Sequence, residues 1–321
     1  VNTLIADWRQ MLLDLPRSVN KKRAKLKIIL KTKDEAGLLQ DWINHHAKIV
    51  GLENLIILDN LSSDRDVLNL YHRYASAILI GAFDGFLNNP HSLYMFSDFY
   101  SWLDENAEYY IILDTDERLV WLEGDKYFSD SRIVEKLAQK KTASGLPGTW
   151  LYNQPGSQQE YCFGSRGGLV DGLRWGKPVI STTAERPDTI IHNCQSLNLF
   201  DPPLTNLFVL HLSRISARQK LRTNINKLRS YSMISKDDGI EEITKIDISS
   251  VEDPSISRLI ETTLELVNIG EYPSRIDKAT PYSIVLKNGK IIFGASDQKN
   301  LLAEFVSESM SFLAECGSQV Q

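Results

Sequence analysis

Tyr110-Ile111-Ile112-Leu113-Asp114-Thr115-Asp116-Glu117 decides how this chain is read. An uninterrupted apolar run reads as a strand buried on both faces, and it ends abruptly in carboxylates. Open α/β sheets bind ligands at the carboxyl ends of their strands, so acids placed there call for a purpose. Alternation along an extended chain points Asp114 and Asp116 to the same side, where each could give an oxygen to one hard cation. A solvated acidic turn is the plain alternative for so short a motif.

Working outward, strands and helices alternate. Residues 26–30 read as a strand and 35–50 as a helix whose Leu38, Leu39, Trp42 and Ile43 share a face. Residues 55–58 are a strand, 64–74 a helix, 77–80 a strand, 93–106 a helix and 109–113 a strand. This rhythm predicts right-handed crossovers and a mostly parallel, Rossmann-like sheet flanked by helices. Three turns then meet at one edge: Thr32-Lys33-Asp34-Glu35, Asp59-Asn60-Leu61-Ser62-Ser63-Asp64, and the DxD turn. Helix N-termini beside carboxylates suit a nucleoside diphosphate with a metal.

Residues 145–205 are punctuated by Gly and Pro and read as an acceptor-side region of short strands and loops. Beyond it the pattern gives a strand at 207–212, a basic helix at 216–231, a loop at 235–242 and a helix at 256–268. A hairpin at 284–286 and 291–293 turns around Asn288-Gly289, and an amphipathic helix at 299–313 follows. The expected divisions are an N-terminal helix and basic linker (1–25), a catalytic domain (26–231, nucleotide-binding to 121 and acceptor-side after it), and a helical and hairpin appendage (232–321).

Composition narrows the class. The 321 residues are 42% hydrophobic and 24% charged, which suits an ordinary globular protein. A net charge of −5 disfavours a general nucleic-acid binder. Cys162, Cys194 and Cys316 have neither the number nor the spacing of a disulfide framework or zinc site, which suits a reducing compartment. No apolar run approaches the roughly 20 residues of a membrane helix, and the start lacks a secretory pattern, so a cytoplasmic location is expected.

The ordered blocks KDEAGLLQDWINHH, LIILDNLSSD and YIILDTDERLV resemble GT-A glycosyltransferases of the family 2 and family 92 type, over residues 26–121. The resemblance implies a GT-A-like fold. It also implies that Asp59 contacts the nucleotide base, with Thr32, Lys33, Glu35 and Asp114 in the same nucleotide site. Asp114 and Asp116 would hold Mn²⁺ or Mg²⁺ against the diphosphate. Position 34 is Asp where the family often has Asn, and Leu61 stands where many members have Gly. His45 and His46 also occur in the family and are read as structural.

Later pieces match less continuously. His211 stands where such enzymes often place a histidine on the metal or pyrophosphate, and His192 competes for that role. Trp150 either stacks on a sugar face or packs in the core. Arg174 and Lys177 either bind phosphate or an acidic sugar, or belong to a solvated turn. Asp171 and Asp201, beside Gly and Pro turns, lead Glu160 and Asp188 as the base of an inverting reaction.

The expected function is transfer from a UDP- or GDP-sugar to a saccharide or lipid-linked acceptor, which the resemblance ties to surface polysaccharide. A silent sugar-nucleotide or glycan binder of the same fold would show affinity without turnover. A DxD phosphohydrolase would need its motif on the first core strand and a later acidic pair, which Asp237-Asp238 in a polar loop does not supply. At the N-terminus, the stripe Leu4, Ile5, Trp8, Met11, Leu12 and Leu15 (helix 3–15) precedes Lys21, Lys22, Arg23, Lys25 and Lys27. It either inserts Trp8 into the inner face of an anionic membrane or packs on the catalytic domain or a second subunit.

Overall fold

The structure is a computed structural model. It describes residues 5–14, 22–139, 145–146, 148–154, 157–163, 176–183, 206–214, 216–235, 238–269 and 283–293. Its strands are β1 (Ala24–Thr32), β2 (Leu55–Asp59), β3 (Leu79–Ala82), β4 (Ala107–Leu113), β5 (Glu117–Glu123), β6 (Lys126–Phe128) and β7 (Gly145–Leu146). They continue as β8 (Thr149–Asn153), β9 (Glu160–Phe163), β10 (Val179–Ser181), β11 (Leu207–His211), β12 (Ser283–Lys287) and β13 (Lys290–Phe293). The main helices are α1 (Trp8–Leu13), α2 (Ala36–Val50), α3 (Arg65–Tyr74), α4 (Ser97–Asn106), α5 (Arg132–Gln139), α6 (Ala217–Ser230) and α7 (Pro254–Ile269).

One sheet has the order β3-β2-β1-β4-β10-β7. Its first four strands are parallel, β10 adds antiparallel to β4, and β7 adds antiparallel to β10 and so runs with the first four. Period-two alternation divides their side chains between two cores. Ile28, Leu30, Ile111 and Leu113 face α2, α3 and α5, while Ile29, Tyr110 and Ile112 face α4 and Trp8. Because both faces are covered, Leu26 through Thr32 are buried without a break.

The chain reverses at the DxD turn, where the Glu117 N–H donates to the Asp114 carbonyl (3.0 Å), and leaves as β5. That strand enters a closed barrel of order β11-β5-β6-β13-β12-β9-β8, antiparallel except where β8 meets β11. Leu119 and Trp121 pack toward the parallel sheet, and Val120 and Leu122 line the barrel core with Leu151, Phe208 and Ile284. The two acids therefore sit at the junction of sheet and barrel.

Three expectations change. The Asn288-Gly289 hairpin forms, with both turn residues at positive φ (52° and 76°), yet it is no appendage. β12 pairs with β9 and β13 with β6, so the hairpin completes the barrel. At the N-terminus the helix covers Trp8–Leu13, and Trp8 is buried, stacked on Phe96 at 4.5 Å. Ala82 N–H donates to the Ala6 carbonyl at 2.8 Å, so this segment packs on the β3 edge, and Trp8 is not available for membrane insertion. Within the basic run, Arg23 donates to the Ala107 carbonyl and to Thr182 Oγ1, Lys25 pairs with Glu108, and Lys27 is buried, while Lys22 is exposed and Lys21 lies outside the described residues. The expected helix at 299–313 lies outside the described residues. No helix among the described residues is long and apolar enough to cross a membrane.

Candidate functional site

The strand order places a topological switch between β1 and β4, the position where doubly wound sheets bind ligands. Asp114 lies there between two buried lysines: Lys31 pairs with one carboxylate oxygen, and Lys177 Nζ is 2.9 Å from the other. Burial pulls Lys31 below the ordinary lysine range despite Asp114. The same burial acts on Lys177, but Asp114 and then Glu117, 3.7 Å away, outweigh it and hold Lys177 above that range. Lys177 gains the second carboxylate, whereas Lys31 is pushed further down by the neighbouring charges of Lys177 and Lys227.

Glu117 is fully buried and accepts from the Asp114 N–H (2.7 Å) and from Trp150 Nε1 (2.7 Å). Burial raises its carboxyl, and Lys177 is the main opposing influence. Trp150 also stacks on His211 (4.8 Å, 30°), so this ring is committed to packing between Glu117 and the imidazole. His211 Nε2 lies 3.3 Å from Asp116 Oδ2. Burial would raise Asp116, but His211, Lys220 and Lys227 prevail and hold it well below the usual carboxylate range.

α6 covers this edge. Ser216 caps it through the Gln219 N–H, and Lys220 and Lys227 project toward Asp116 and Glu35, with Lys227 also within range of Asp114. Thr223 Oγ1 donates to Glu35 (3.2 Å), whose carboxyl is raised first by burial and then by Asp116. Thr32 receives the Thr115 hydroxyl at 2.9 Å, and Lys33 Nζ approaches Asn60 Oδ1 at 3.4 Å.

Asp59 is turned inward. Its carboxylate accepts from the Ser62 N–H (2.7 Å), the Ser62 hydroxyl (2.5 Å) and the Tyr71 hydroxyl (2.7 Å), which shapes the β2 turn. Asp34 takes positive φ (52°), as Asn and Asp tolerate, and accepts the Ser63 and Asp64 N–H groups. Leu61 adopts the left-handed region at φ 55°, where many members of the resembled families have Gly, and half exposes its side chain. His45 and His46 bond the Leu119 carbonyl and N–H, and His46 also the Trp42 carbonyl, so both fasten α2 to β5.

The structure thus brings together Thr32, Glu35, Asp114, Asp116, Trp150, Lys177 and His211, with Lys33 on the same turn as Thr32 and Glu35 and Asp59 at the start of the adjoining turn. Asp171, Arg174, His192 and Asp201 lie outside the described residues. Sequence reasoning passed over Lys31, Glu117, Lys220 and Lys227. A lysine at the end of an apolar strand and a third acid directly after DxD were the available signals.

Among the described residues no three His, Cys, Asp or Glu side chains form a metal cage. Mg²⁺-type sites serving nucleotides usually take one or two protein ligands, with phosphates and water completing the shell. Asp116 fits that donor set, and His211 could join it as a ligand to Mn²⁺ once its Nε2 turns from Asp116 to the cation. Asp114 would have to give up a lysine to join them.

No protein-family model matches the sequence, and no curated protein does either. Solved structures superpose only loosely. TarS of S. aureus matches with TM-score 0.28 and 12% identity over 46% of this chain and 23% of that one. A cytidylyltransferase from Leptospira borgpetersenii gives 0.28 and 12% over 50% and 62%. The mannosyltransferase PcManGT from Pyrobaculum calidifontis, in complex with GDP-Man and Mn²⁺, gives 0.35 and 11% over 97% and 92%. This chain thus spans less than two thirds of the first two. Superpositions this loose carry no argument about function.

Proposed function

We propose that the chain is a glycosyltransferase that uses a nucleoside-diphosphate sugar, UDP- or GDP-linked, and glycosylates a saccharide or lipid-linked acceptor, as in surface polysaccharide assembly. The observation supporting this most strongly is the grouping of Asp114, Asp116, His211 and four lysines at the switch point of a mostly parallel sheet. Transfer forms a bond from the acceptor oxygen to the anomeric carbon and breaks the bond to the diphosphate, which departs with the electron pair. The acceptor hydroxyl loses its proton.

Asp116 and His211 would hold Mn²⁺ or Mg²⁺, which when bound supplies a Lewis acid for the leaving diphosphate. Lys220 and Lys227 face the same edge and would bind phosphate oxygens as mobile point charges. Lys31 and Lys177 fix the Asp114 carboxylate, and Glu117 fixes Trp150, which in turn supports the His211 ring. Asp59 would act on the base indirectly, by holding the turn that carries Asn60 and Leu61. Thr32, Lys33 and Glu35 complete the nucleotide edge. Arg174 and His192 are assigned to the sugar and phosphates, and Asp171 or Asp201 to the acceptor proton.

The test is a thermal-shift series on the full chain with UDP, GDP and their sugars, with and without Mn²⁺. A ligand of the native state raises the melting temperature with its occupancy. One nucleotide should shift the transition more with Mn²⁺, and Asp116→Asn should remove the Mn²⁺ increment and the turnover. Asp114→Asn should also abolish turnover, by releasing Lys31 and Lys177. Absence of any nucleotide response, or full activity in both variants, overturns the reading.

A further inference from the structure

α6 carries two cationic stripes on different faces. At 100° per residue, Lys220, Thr223 and Lys227 form the stripe toward Asp116, whereas Arg218, Arg222 and Arg229 fall together on a face well over a quarter-turn away. The second stripe borders a groove of about 410 Å³, closed on its other side by Asp34, Ser63 and Asp64 and floored by Leu221 and Ile225. The donor-edge stripe does not line it.

The charges in this groove are unevenly satisfied. Arg222 pairs with Asp64. Asp34 is occupied by the two backbone N–H groups of its own turn. Arg229 donates one N–H to the Asp238 carbonyl (2.8 Å), yet its buried Nε has no partner. Arg218 is exposed and makes no ion pair among the described residues. Guanidinium groups along one wall, two of them with unused donors, match the forked geometry of phosphate. The apolar floor leaves room for a sugar or chain attached to it.

We propose that this groove is an anion site that seats a phosphate-bearing end of the acceptor. Calling the ligand the acceptor rests on the glycosyl-transfer reading, whereas the anion site does not. Asp34 and Glu35 are adjacent in sequence and line the groove and the donor edge respectively. A molecule anchored on the arginines therefore lies beside the donor edge without occupying the donor's phosphate contacts.

The experiment is titration calorimetry of the full chain with inorganic pyrophosphate in metal-free buffer, comparing wild type, Arg218→Gln/Arg222→Gln and Lys220→Gln/Lys227→Gln. Both arginines are exposed, so their replacement should leave the fold intact, as the melting curve verifies. The groove-binding event should weaken by about tenfold or more in the arginine variant and persist in the lysine variant, which removes at most a separate donor-edge event. The UDP and Mn²⁺ thermal shift should survive in the arginine variant. No pyrophosphate binding by wild type, or loss only in the lysine variant, overturns the proposal.

Arginine-dependent pyrophosphate binding without any nucleotide response would keep the anion site and remove the word acceptor. Co-sedimentation with phosphatidylglycerol vesicles separates the sources. Retention of wild type but not of the arginine variant assigns the phosphate to a lipid, and pyrophosphate binding alone assigns it to a soluble phosphorylated saccharide.

Discussion

Replacing Lys177 with methionine deletes a charge while nearly conserving shape, so repacking should contribute less than about 1.5 kcal/mol. Lys177 is 1% exposed, and its ammonium bridges Asp114 at 2.9 Å and Glu117 at 3.7 Å. Without it Asp114 keeps Lys31, but Glu117 keeps only the neutral donors Trp150 Nε1 and the Asp114 N–H. Removing one partner of a buried ion pair costs about 3–5 kcal/mol, because the other charge stays uncompensated. Adding Glu117→Gln removes that charge, so the double variant should be less destabilised than the two single losses together by at least about 1 kcal/mol.

The sign of the pH dependence follows from Glu117. Its carboxyl is raised by burial from an ordinary 4.5 to about 7, so the native state keeps a proton that the unfolded chain has released. Stability then falls as pH rises through that window. Loss of Lys177, the largest opposing influence, extends the window upward, so the cost of Lys177→Met should shrink between pH 8 and pH 6. Urea unfolding with unchanged m-values reads all three quantities. A cost under about 1 kcal/mol, strict additivity, or a cost independent of pH would refute the buried-pair account.

Trp8→Ala should lower stability by about 3–5 kcal/mol, read as a lower urea midpoint, because the ring is buried against Phe96 and Phe99; an unchanged midpoint would detach α1 from the sheet. Leu61→Gly should raise the melting temperature slightly. Relief of the left-handed backbone is worth about 1–2 kcal/mol, and the added freedom of the unfolded chain offsets about 0.5–1 of it. A lower melting temperature would mean that the Leu61 side chain packs more than its exposure suggests.

The parallel sheet was legible because its signals are local. Residues 26–30, 55–58 and 109–113 are apolar on both faces, and the first two are each followed by a helix with its own stripe. The barrel was not, because its strands are short and pair with partners far away in sequence. β9 is four residues and β6 three, and the hairpin reads as self-contained until β12 finds β9 over 120 residues upstream. Asp114 and Asp116 announced themselves as carboxylates at a strand end, but spacing says nothing about which cation reaches a carboxylate first. Lys31 looked like the polar end of a strand and Lys177 like a turn residue, and only the pairing of β10 with β4 brings Lys177 onto Asp114. Trp150 was undecided between a sugar platform and core, and its hydrogen bond to Glu117 commits it to the interior.

Charge balance at this edge bears directly on what can enter it. Lys31, Lys177, Lys220 and Lys227 face Asp114, Asp116, Glu35 and Glu117, so four ammonium groups stand against four carboxyl groups before any ligand arrives. Burial favours protonated Glu35 and Glu117, which tilts the balance toward positive. With both protonated, the surplus of two charges matches the two phosphate charges of a nucleotide sugar; with both ionised no surplus remains, and the diphosphate arriving alone would leave buried negative charge uncompensated. In that ionised state a divalent cation arriving with the diphosphate restores neutrality, and the existing pairs could remain as they are. The cation's first service here is therefore electrostatic, admitting the diphosphate when Glu35 and Glu117 are ionised and the edge is balanced, so nucleotide affinity and Mn²⁺ affinity should rise together in the same titration.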